Sequence, residues 1–335
     1  MSFDNLLGHT AVKQSLNNAI LKNRISNAYI FEGIEGVGKR LCAHIFAQAL
    51  VCNSNTPPCG VCPMCIQAKS GTLPDIFVLE KDKDKASVGV DNVREQIISQ
   101  VYLKPMNTER KIFIIEQGDD LSPAAQNALL KVLEEPPSYV TFIICVTSKE
   151  KLLPTVVSRS QVISFFPVEE NLIKDYLKDL GLDESDAQVL SRLSGGSIGL
   201  AKQMMTSSDK KERIDKSIKL LTSLSKNSLS IRDMVDFLSE ERENIYEIID
   251  YLMTFLRDCV LIKTNLDKNI VFLNHISDMR AFCNDISKKR LIWAFDKLNS
   301  LKIKLKQNLN FNATVSETVM RIWEDFHDKG SGHKI

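Results

Sequence analysis

A glycine-rich segment between an apolar strand and a helix constrains the fold of this chain more than any other feature. Residues 33–39 read G-x-x-x-x-G-K, after a predicted strand over 28–31 and at the start of a predicted helix over 39–50. The glycines of the segment are Gly33, Gly36 and Gly38. In this context, glycines let backbone N–H groups turn inward around phosphate oxygens at the positive end of a helix. The segment predicts a phosphate-binding loop with Lys39 as an added charge, and the alternative is a chance glycine-rich turn.

Two residues depart from the pattern of a loop that hydrolyses nucleotide. Arg40 stands where Ser or Thr would coordinate Mg²⁺, and a guanidinium cannot bind a metal. The apolar run 112–116 ends in Glu116, which can hold Mg²⁺ directly or through water. Gln117 follows in the place of the carboxylate that would activate a water, and an amide cannot accept the proton. These departures predict that hydrolysis is lost or crippled, even if ATP or ADP still binds.

Four of the eight cysteines form a compact C-x6-C-x2-C-x2-C pattern. They are Cys52, Cys59, Cys62 and Cys65. Four thiolates at this spacing fit tetrahedral Zn²⁺, and a filled shell of four ligands indicates a structural site. An iron–sulfur cluster or no metal are the alternatives, and no cysteine follows at the spacing typical of a ferredoxin. The other four cysteines lie in apolar patterns and are interpreted as buried small side chains.

The first half of the chain alternates short apolar runs with helical patterns. Runs that are apolar on both faces, at 28–31, 76–79, 112–116, 140–147 and 162–165, predict an α/β fold with a parallel sheet covered by helices on both faces. After residue 166 only helical periodicity is found, including long helices over 240–263 and 288–306. We predict three parts: a nucleotide-binding-like domain over 1–166, a small helical lid over 167–207 and an all-helical collar over 208–335.

The charge balance excludes two classes of protein. Lys and Arg number 43 and Asp and Glu 42, so the net charge is +1. A generally basic nucleic-acid coat and an acidic tail protein are both excluded by this balance. No apolar run approaches the length needed to span a bilayer, and the N-terminus lacks the pattern of a signal peptide. We therefore expect a cytoplasmic protein without membrane contact.

These features together resemble the AAA+ clamp-loader ATPases of bacterial replication. The resemblance rests on 3–9 (FDNLLGH), 24–29 (RISNAY), the phosphate loop, the inserted cysteine module, 123–137 (PAAQNALLKVLEEPP), 158–160 (SRS) and 195–199 (GGSIG). The resemblance implies a P-loop fold in which Thr147 is the polar sensor 1 residue. It also implies that Gly33, Gly36, Gly38, Lys39, Glu116 and Thr147 form a degenerate nucleotide site.

The same resemblance implies a role for one arginine. Ser158 and Arg159 match the family's Ser-Arg-Cys motif, whose arginine reaches into the ATP site of a neighbouring subunit. The alternatives are a surface arginine or an intrachain salt bridge. Arg40, Gln117 and Gly199 replace residues that the active ATPase subunits of the family keep. The combination is similar to a subunit that acts as a stator and lacks independent ATPase activity.

Partners follow from the resemblance as well. It implies a hetero-pentamer with three gamma/tau subunits and delta, and contact with the sliding clamp and primer–template DNA through the assembled complex. The chain would then help to load the clamp as part of a DNA polymerase III holoenzyme, which is a DNA-directed DNA polymerase and thus a nucleotidyltransferase. The alternative is a catalytically active gamma/tau-like ATPase or another AAA+ motor.

Overall fold

The computed structural model describes residues 3–79, 87–206, 208–226, 230–266, 270–307 and 310–328. The chain divides into two compact units. One comprises Met1–Tyr176 with Ser194–Ala201, and the other comprises Leu177–Leu193 with Lys202–Ile335. The division into three parts at 166 and 207 stays a prediction.

A five-stranded parallel sheet forms the centre of the first unit. The strands are β1 (Ala28–Glu32), β2 (Ile76–Val78), β3 (Lys111–Ile115), β4 (Val140–Val146) and β5 (Gln161–Ser164). Their order across the sheet is β2-β3-β4-β1-β5, and every neighbouring pair is parallel. The central strands β3 and β4 are buried along their whole length, which explains their continuous apolar runs. The predicted parallel sheet is confirmed.

Helices surround this sheet. They are α1 (Thr10–Leu21), α2 (Lys39–Leu50), α3 (Pro63–Ser70), α4 (Val90–Val93), α5 (Ser99–Val101), α6 (Pro123–Glu134) and α7 (Pro154–Val157). Residues 90–101 are helical throughout, but Arg94–Ile98 has π-helical hydrogen bonding and separates α4 from α5. Ser122 caps α6, because its side chain accepts a hydrogen bond from the backbone N–H of Ala125 at 3.2 Å.

The remaining helices range from 9 to 19 residues in length. They are α8 (Glu170–Asp179), α9 (Glu184–Leu193), α10 (Ile198–Thr206), α11 (Ser208–Leu224), α12 (Ser230–Glu240), α13 (Ile245–Lys263), α14 (Ile276–Asp285), α15 (Lys288–Lys306) and α16 (Phe311–His327). No helix in the described ranges is long and apolar enough to cross a membrane.

One predicted helix of the second unit is wrong at its start. The interval 240–263 does not form one helix, because α12 ends at Glu240 and α13 begins at Ile245 after a short 3₁₀ turn. Glu241 lies in the break, where it pairs with the Arg213 Nε at 3.0 Å and accepts a hydrogen bond from the Asn244 side chain at 2.9 Å. These polar contacts stabilise the turn between the two helices.

Candidate functional site

The glycine-rich loop leaves the end of β1 and enters α2, as its sequence predicts. Gly36 and Gly38 adopt φ values of 72° and 113°, a region that side chains other than glycine rarely occupy. Lys39 is buried, and its Nζ donates hydrogen bonds to the carbonyl oxygens of Gly33 at 2.5 Å and Ile34 at 2.8 Å. Burial lowers the pKa of the Lys39 ammonium group. The lysine predicted to face a phosphate is therefore directed at the loop's own backbone.

The start of α10 packs directly on this loop. The backbone N–H of Gly199 donates a hydrogen bond to the Gly36 carbonyl oxygen at 2.8 Å. A Cβ added at Gly36 would collide with the Ser197 hydroxyl, and a Cβ added at Gly199 would lie 2.9 Å from the Gly36 Cα. Two backbones can approach this closely only because neither carries a side chain. The presence of glycine at position 199, where the active ATPase subunits of the family have another residue, therefore has a steric reason in this structure.

The N-terminal motif also packs on this loop. His9 places its Nε2 3.0 Å from the Val37 carbonyl oxygen, and its ring lies 4.9 Å from the ring of Phe165. Leu6 is buried, and a Cβ added at Gly38 would lie 2.8 Å from its Cδ1. Burial lowers the pKa of His9. The segment over 3–9 thus fixes the loop through packing and one hydrogen bond.

Glu116 lies just beyond the end of β3 and is engaged by two basic residues of α2. Its Oε1 is 2.6 Å from His44 Nε2, and its Oε2 is 3.9 Å from Arg40 Nε. Because an ionised carboxylate only accepts, the imidazole donates this hydrogen bond. The bond from His44 is the main cause that lowers the pKa of Glu116, although burial acts against it. Glu116, the acid predicted from the sequence to hold Mg²⁺, is thus already paired with basic side chains of the same chain.

A second acidic residue lies beside Thr147. Thr147 follows β4, and its backbone N–H donates hydrogen bonds to both carboxylate oxygens of Asp119, at 2.9 and 3.1 Å. Lys151 Nζ lies 3.2 Å from the same carboxylate. Burial acts to raise the pKa of Asp119, but these hydrogen bonds and the lysine charge outweigh it and lower the pKa. Thr147, to which the resemblance assigns the sensor 1 role, is therefore joined to Asp119, an acid that was not predicted from the sequence.

The four predicted cysteine ligands meet at one point. The sulfur atoms of Cys52, Cys59, Cys62 and Cys65 all lie within 4.8 Å of one another. Tetrahedral coordination with Zn–S bonds of about 2.3 Å requires sulfur atoms roughly 3.8 Å apart, and Cys59 and Cys65 have theirs 3.9 Å apart. The geometry therefore fits a four-coordinate metal ion.

Local hydrogen bonds prepare the cluster for a cation. The backbone N–H groups of Cys59, Cys62 and Cys65 each point at the sulfur of the preceding cysteine in the set, at 3.4 Å. Hydrogen bonds from the N–H groups of Val61 and Cys62 lower the pKa of the Cys59 thiol to about 6, whereas burial raises the pKa of Cys52 and raises that of Cys65 to about 12. The buried Gln48 side chain donates to the Cys65 carbonyl oxygen at 2.7 Å and ties the module to α2. Donors aimed at sulfur favour thiolates, which are the metal-binding form.

Arg159 follows α7 at the surface and is paired within the chain. Its Nη2 lies 2.8 Å from Glu134 Oε1, and its Nη1 donates to the Thr155 carbonyl oxygen at 3.0 Å. The Ser158 hydroxyl also donates to Thr155, at 3.1 Å. About a third of the Arg159 side chain and half of the Glu134 side chain are exposed. Of the alternatives left open by the sequence, the intrachain salt bridge is present in this structure.

Three neighbours of the candidate site residues were not predicted from the sequence: His44, Asp119 and Glu134. His44 carried a usable signal, because it lies four residues after Arg40 and so shares its helix face. Asp119 and Glu134 meet their partners only through the fold, since Thr147 and Arg159 are 28 and 25 residues further along the chain. No local pattern marks such pairs.

Comparison with known proteins places the chain in a family. The family described as "DNA polymerase III, delta subunit" matches residues 8–169, and "DNA polymerase III, delta subunit, C terminal" matches residues 209–319. The chain is 24% identical to DNA polymerase III subunit delta' of Bacillus subtilis, over 93% of this chain and 95% of that protein.

Gamma/tau proteins are similar mainly over part of their length. B. subtilis tau is 25% identical over 98% of this chain, which spans 62% of tau. Mycobacterium tuberculosis gamma/tau is 36% identical over 49% of this chain and 28% of its own length. A solved gamma subunit-related protein of Thermotoga maritima aligns over 94% of this chain with 18% identity and a TM-score of 0.42. Since the two delta-subunit matches together cover most of the sequence, the chain belongs to the DNA polymerase III delta-subunit family of clamp-loader proteins.

Proposed function

We propose that this chain is a delta-prime-type stator subunit of a DNA polymerase III clamp loader. In this role it helps to load the sliding clamp onto primed DNA by completing the ATP site of a neighbouring subunit. The similarity to the B. subtilis delta' subunit supports this role, because it extends over nearly the full length of both proteins. The partners are those implied by the family: gamma/tau and delta in a hetero-pentamer, with the clamp and primer–template DNA met through the complex.

The contact between Gly36 and Gly199 is the observation that carries the proposal. A phosphate loop binds nucleotide through a cradle of backbone groups that is open to the phosphates. Here the start of α10 is hydrogen-bonded to that loop, and Lys39 is hydrogen-bonded to two of the loop's carbonyl groups. Glu116 is matched by His44 and Arg40. We therefore expect little or no hydrolysis in the chain's own site, and weak occupancy by ATP or ADP.

The proposed role of Arg159 follows from its chemistry and its location. A guanidinium is always charged, and its planar fork matches phosphate oxygens. Supplied to a neighbouring site, such a group is worth about 10³–10⁵ in rate in some nucleotide hydrolases. Ser158 supports it locally, because its hydroxyl shares the Thr155 carbonyl oxygen with the guanidinium.

We propose Zn²⁺ as the ion of the four-cysteine cluster. Four thiolates favour Zn²⁺ among the common divalent ions, and the sulfur positions suit tetrahedral coordination. With all four positions taken by protein, no site is left open for water or substrate. The expected role of the ion is therefore to hold the module over 52–71 folded.

The alternative is a gamma/tau-like ATPase, which the identity of 36% to M. tuberculosis gamma/tau over half of the chain favours. Steady-state ATP hydrolysis by the isolated, pure chain separates the two functions. The stator proposal expects a rate at background, unchanged in a Lys39→Ala variant. A turnover comparable to that of gamma/tau, abolished by Lys39→Ala, would establish the alternative.

The arginine is tested in the assembled loader. Arg159→Ala should lower the clamp- and DNA-stimulated ATPase of a complex reconstituted with gamma/tau and delta by at least about a third, because one of the three gamma/tau ATP sites loses its finger. Arg159→Lys is the matched variant, since it keeps the charge and loses the planar fork. An unchanged rate in Arg159→Ala would show that this arginine does not act in a neighbouring site.

A further inference from the structure

Arg159 forms an ion pair with Glu134 of its own chain. A role in the ATP site of a neighbouring subunit does not by itself explain this pair. The guanidinium makes contacts with three groups of its own chain: the Glu134 carboxylate at 2.8 Å, the Thr155 carbonyl oxygen at 3.0 Å and the Ser158 hydroxyl at 3.4 Å. These contacts fix one position of a side chain that otherwise has many rotamers. The arginine is thus held in a defined place before any partner is present.

The two elements that carry this pair are themselves firmly joined. Gln126 of α6 donates to the Lys151 carbonyl oxygen at 3.2 Å and accepts from the Leu153 N–H at 2.7 Å, so it connects α6 to the start of α7. Apolar side chains of both helices share one buried cluster, including Leu129, Leu133 and Val156. Because Glu134 is the last residue of α6, the cluster sets where its carboxylate lies relative to Arg159.

The exposure of the pair makes it easy to exchange. Half of the Glu134 side chain is in contact with solvent, and exposed ion pairs are weak because water and salt screen them. A nucleoside triphosphate carries several negative charges and offers oxygens to both sides of the guanidinium fork. A triphosphate brought to this edge therefore competes well with a single carboxylate for Arg159.

We propose that Glu134 is a positioning residue that stores the Arg159 guanidinium and is exchanged for the phosphate oxygens of the nucleotide in the neighbouring subunit. This inference rests on the proposed trans role of Arg159. Breaking the pair is a cost of forming the nucleotide complex, and it is the same for the bound ground state and the transition state. A loss of Glu134 should then change KM for ATP and leave kcat unchanged.

The test is the ATP dependence of the stimulated ATPase in the reconstituted loader. Glu134→Gln keeps the shape of the side chain and removes its charge, and Glu135→Gln is the matched control at the exposed next residue. We expect KM to fall by about two- to fivefold in Glu134→Gln with kcat unchanged, the range that an exposed ion pair allows. Glu134→Asp keeps the charge and should stay near the unmodified loader, as should Glu135→Gln.

The possible outcomes distinguish a failure of the inference about Glu134 from a failure of the proposed function. An unchanged or higher KM in Glu134→Gln, or an equal fall in Glu135→Gln, overturns the positioning role. If Arg159→Ala leaves the rate unchanged, the proposed function itself fails. If Arg159→Ala lowers the rate and Glu134→Gln has no effect on KM, only the inference about Glu134 fails. Equal urea midpoints for the two Gln variants exclude misfolding as the cause of a difference.

Discussion

The phosphate loop and the cysteine module belong to the same unit but differ in how their charged groups are balanced. Beside the loop, two charged groups have counterparts from the chain: Lys39 meets carbonyl oxygens, and Glu116 meets His44 and Arg40. In the cysteine module, four sulfur atoms lie together with N–H donors aimed at three of them. Thiolates at this spacing repel one another unless a cation lies between them.

This difference indicates whether each site needs a bound ligand or ion to be stable. A loop whose charges are matched from within is stable without ligand, and a ligand would have to displace these contacts. Four thiolates at this spacing need a bound cation, and metal binding is therefore coupled to the folding of the module. A sequence motif for a ligand is thus weaker support for binding than the charge balance of the folded site.

The largest expected effect tests the cysteine side of this comparison. Structural zinc contributes about 10–16 kcal/mol to folding in small finger peptides at neutral pH. Cys65→Ser should therefore remove about one equivalent of zinc and open the module over 52–71 to proteases. Metal analysis and limited proteolysis measure both effects.

Cys283→Ser is the control for the loss of zinc, because this cysteine lies in α14 outside the cluster and should leave the metal content unchanged. Iron in place of zinc, or a metal-free chain whose module resists proteolysis as well as the native one, would contradict the interpretation of this region.

A smaller effect tests whether the loop is closed by close packing. Gly36→Ala introduces a Cβ at a φ of 72° and against Ser197, whereas Gly195→Ala has a φ of 55° and meets nothing within 4 Å. We expect losses in the free energy of unfolding of about 2–4 kcal/mol for Gly36→Ala and about 1–2 kcal/mol for Gly195→Ala, since both are strained but only one collides. Urea unfolding followed by circular dichroism compares them, and equal losses would show that the contact with α10 is unimportant.

The smallest effect tests the internal match of Glu116. Its pKa is held below the ordinary value by the hydrogen bond from His44, so the ionised form stabilises the fold above the ordinary pKa. That stability is lost as the pH falls through the lowered folded-state pKa. Glu116→Gln should therefore cost about 1–2 kcal/mol of unfolding free energy at pH 7, as expected for a hydrogen bond to a charged group, and progressively less below about pH 4.5.

Urea titrations between pH 3 and 7 measure this dependence on Glu116. The exposed Glu109→Gln is the control, and it should change stability by less than about 0.5 kcal/mol at each pH. A difference between the native chain and Glu116→Gln that stays constant with pH would show that the carboxylate charge is not used in this contact.

Much of the architecture could be predicted because the signals were local. The helix over Lys39–Leu50 has the predicted bounds, and the sheet follows from continuous apolar runs. Strand ends shifted by one residue where hydrogen bonding, and not hydrophobicity, decides the end. For example, β3 begins at Lys111, a buried residue whose ammonium group donates to the Gln100 carbonyl oxygen at 2.8 Å. A charged residue gives no strand signal in a sequence.

The contacts that characterise the candidate site could not be predicted in the same way. The pairing of His44 with Glu116 joins residues 72 positions apart, and Gly199 meets Gly36 across most of the first unit's sequence. Such contacts depend on strand order and on the packing of α10, which no window of sequence contains. The four cysteines are the exception, because all lie within one short segment and their spacing alone brings the sulfur atoms together.

The strand order also has a consequence for synthesis of the chain. β1 lies between β4 and β5 in the sheet, and Ala28 pairs with Phe142. At about 5–20 residues per second, β1 leaves the ribosome roughly 6–20 s before its neighbours. Throughout that interval its buried middle, Tyr29–Phe31, lacks both of its native partner strands. We therefore expect the nascent chain to be most prone to aggregation, and most dependent on chaperones, between the emergence of β1 and that of β4.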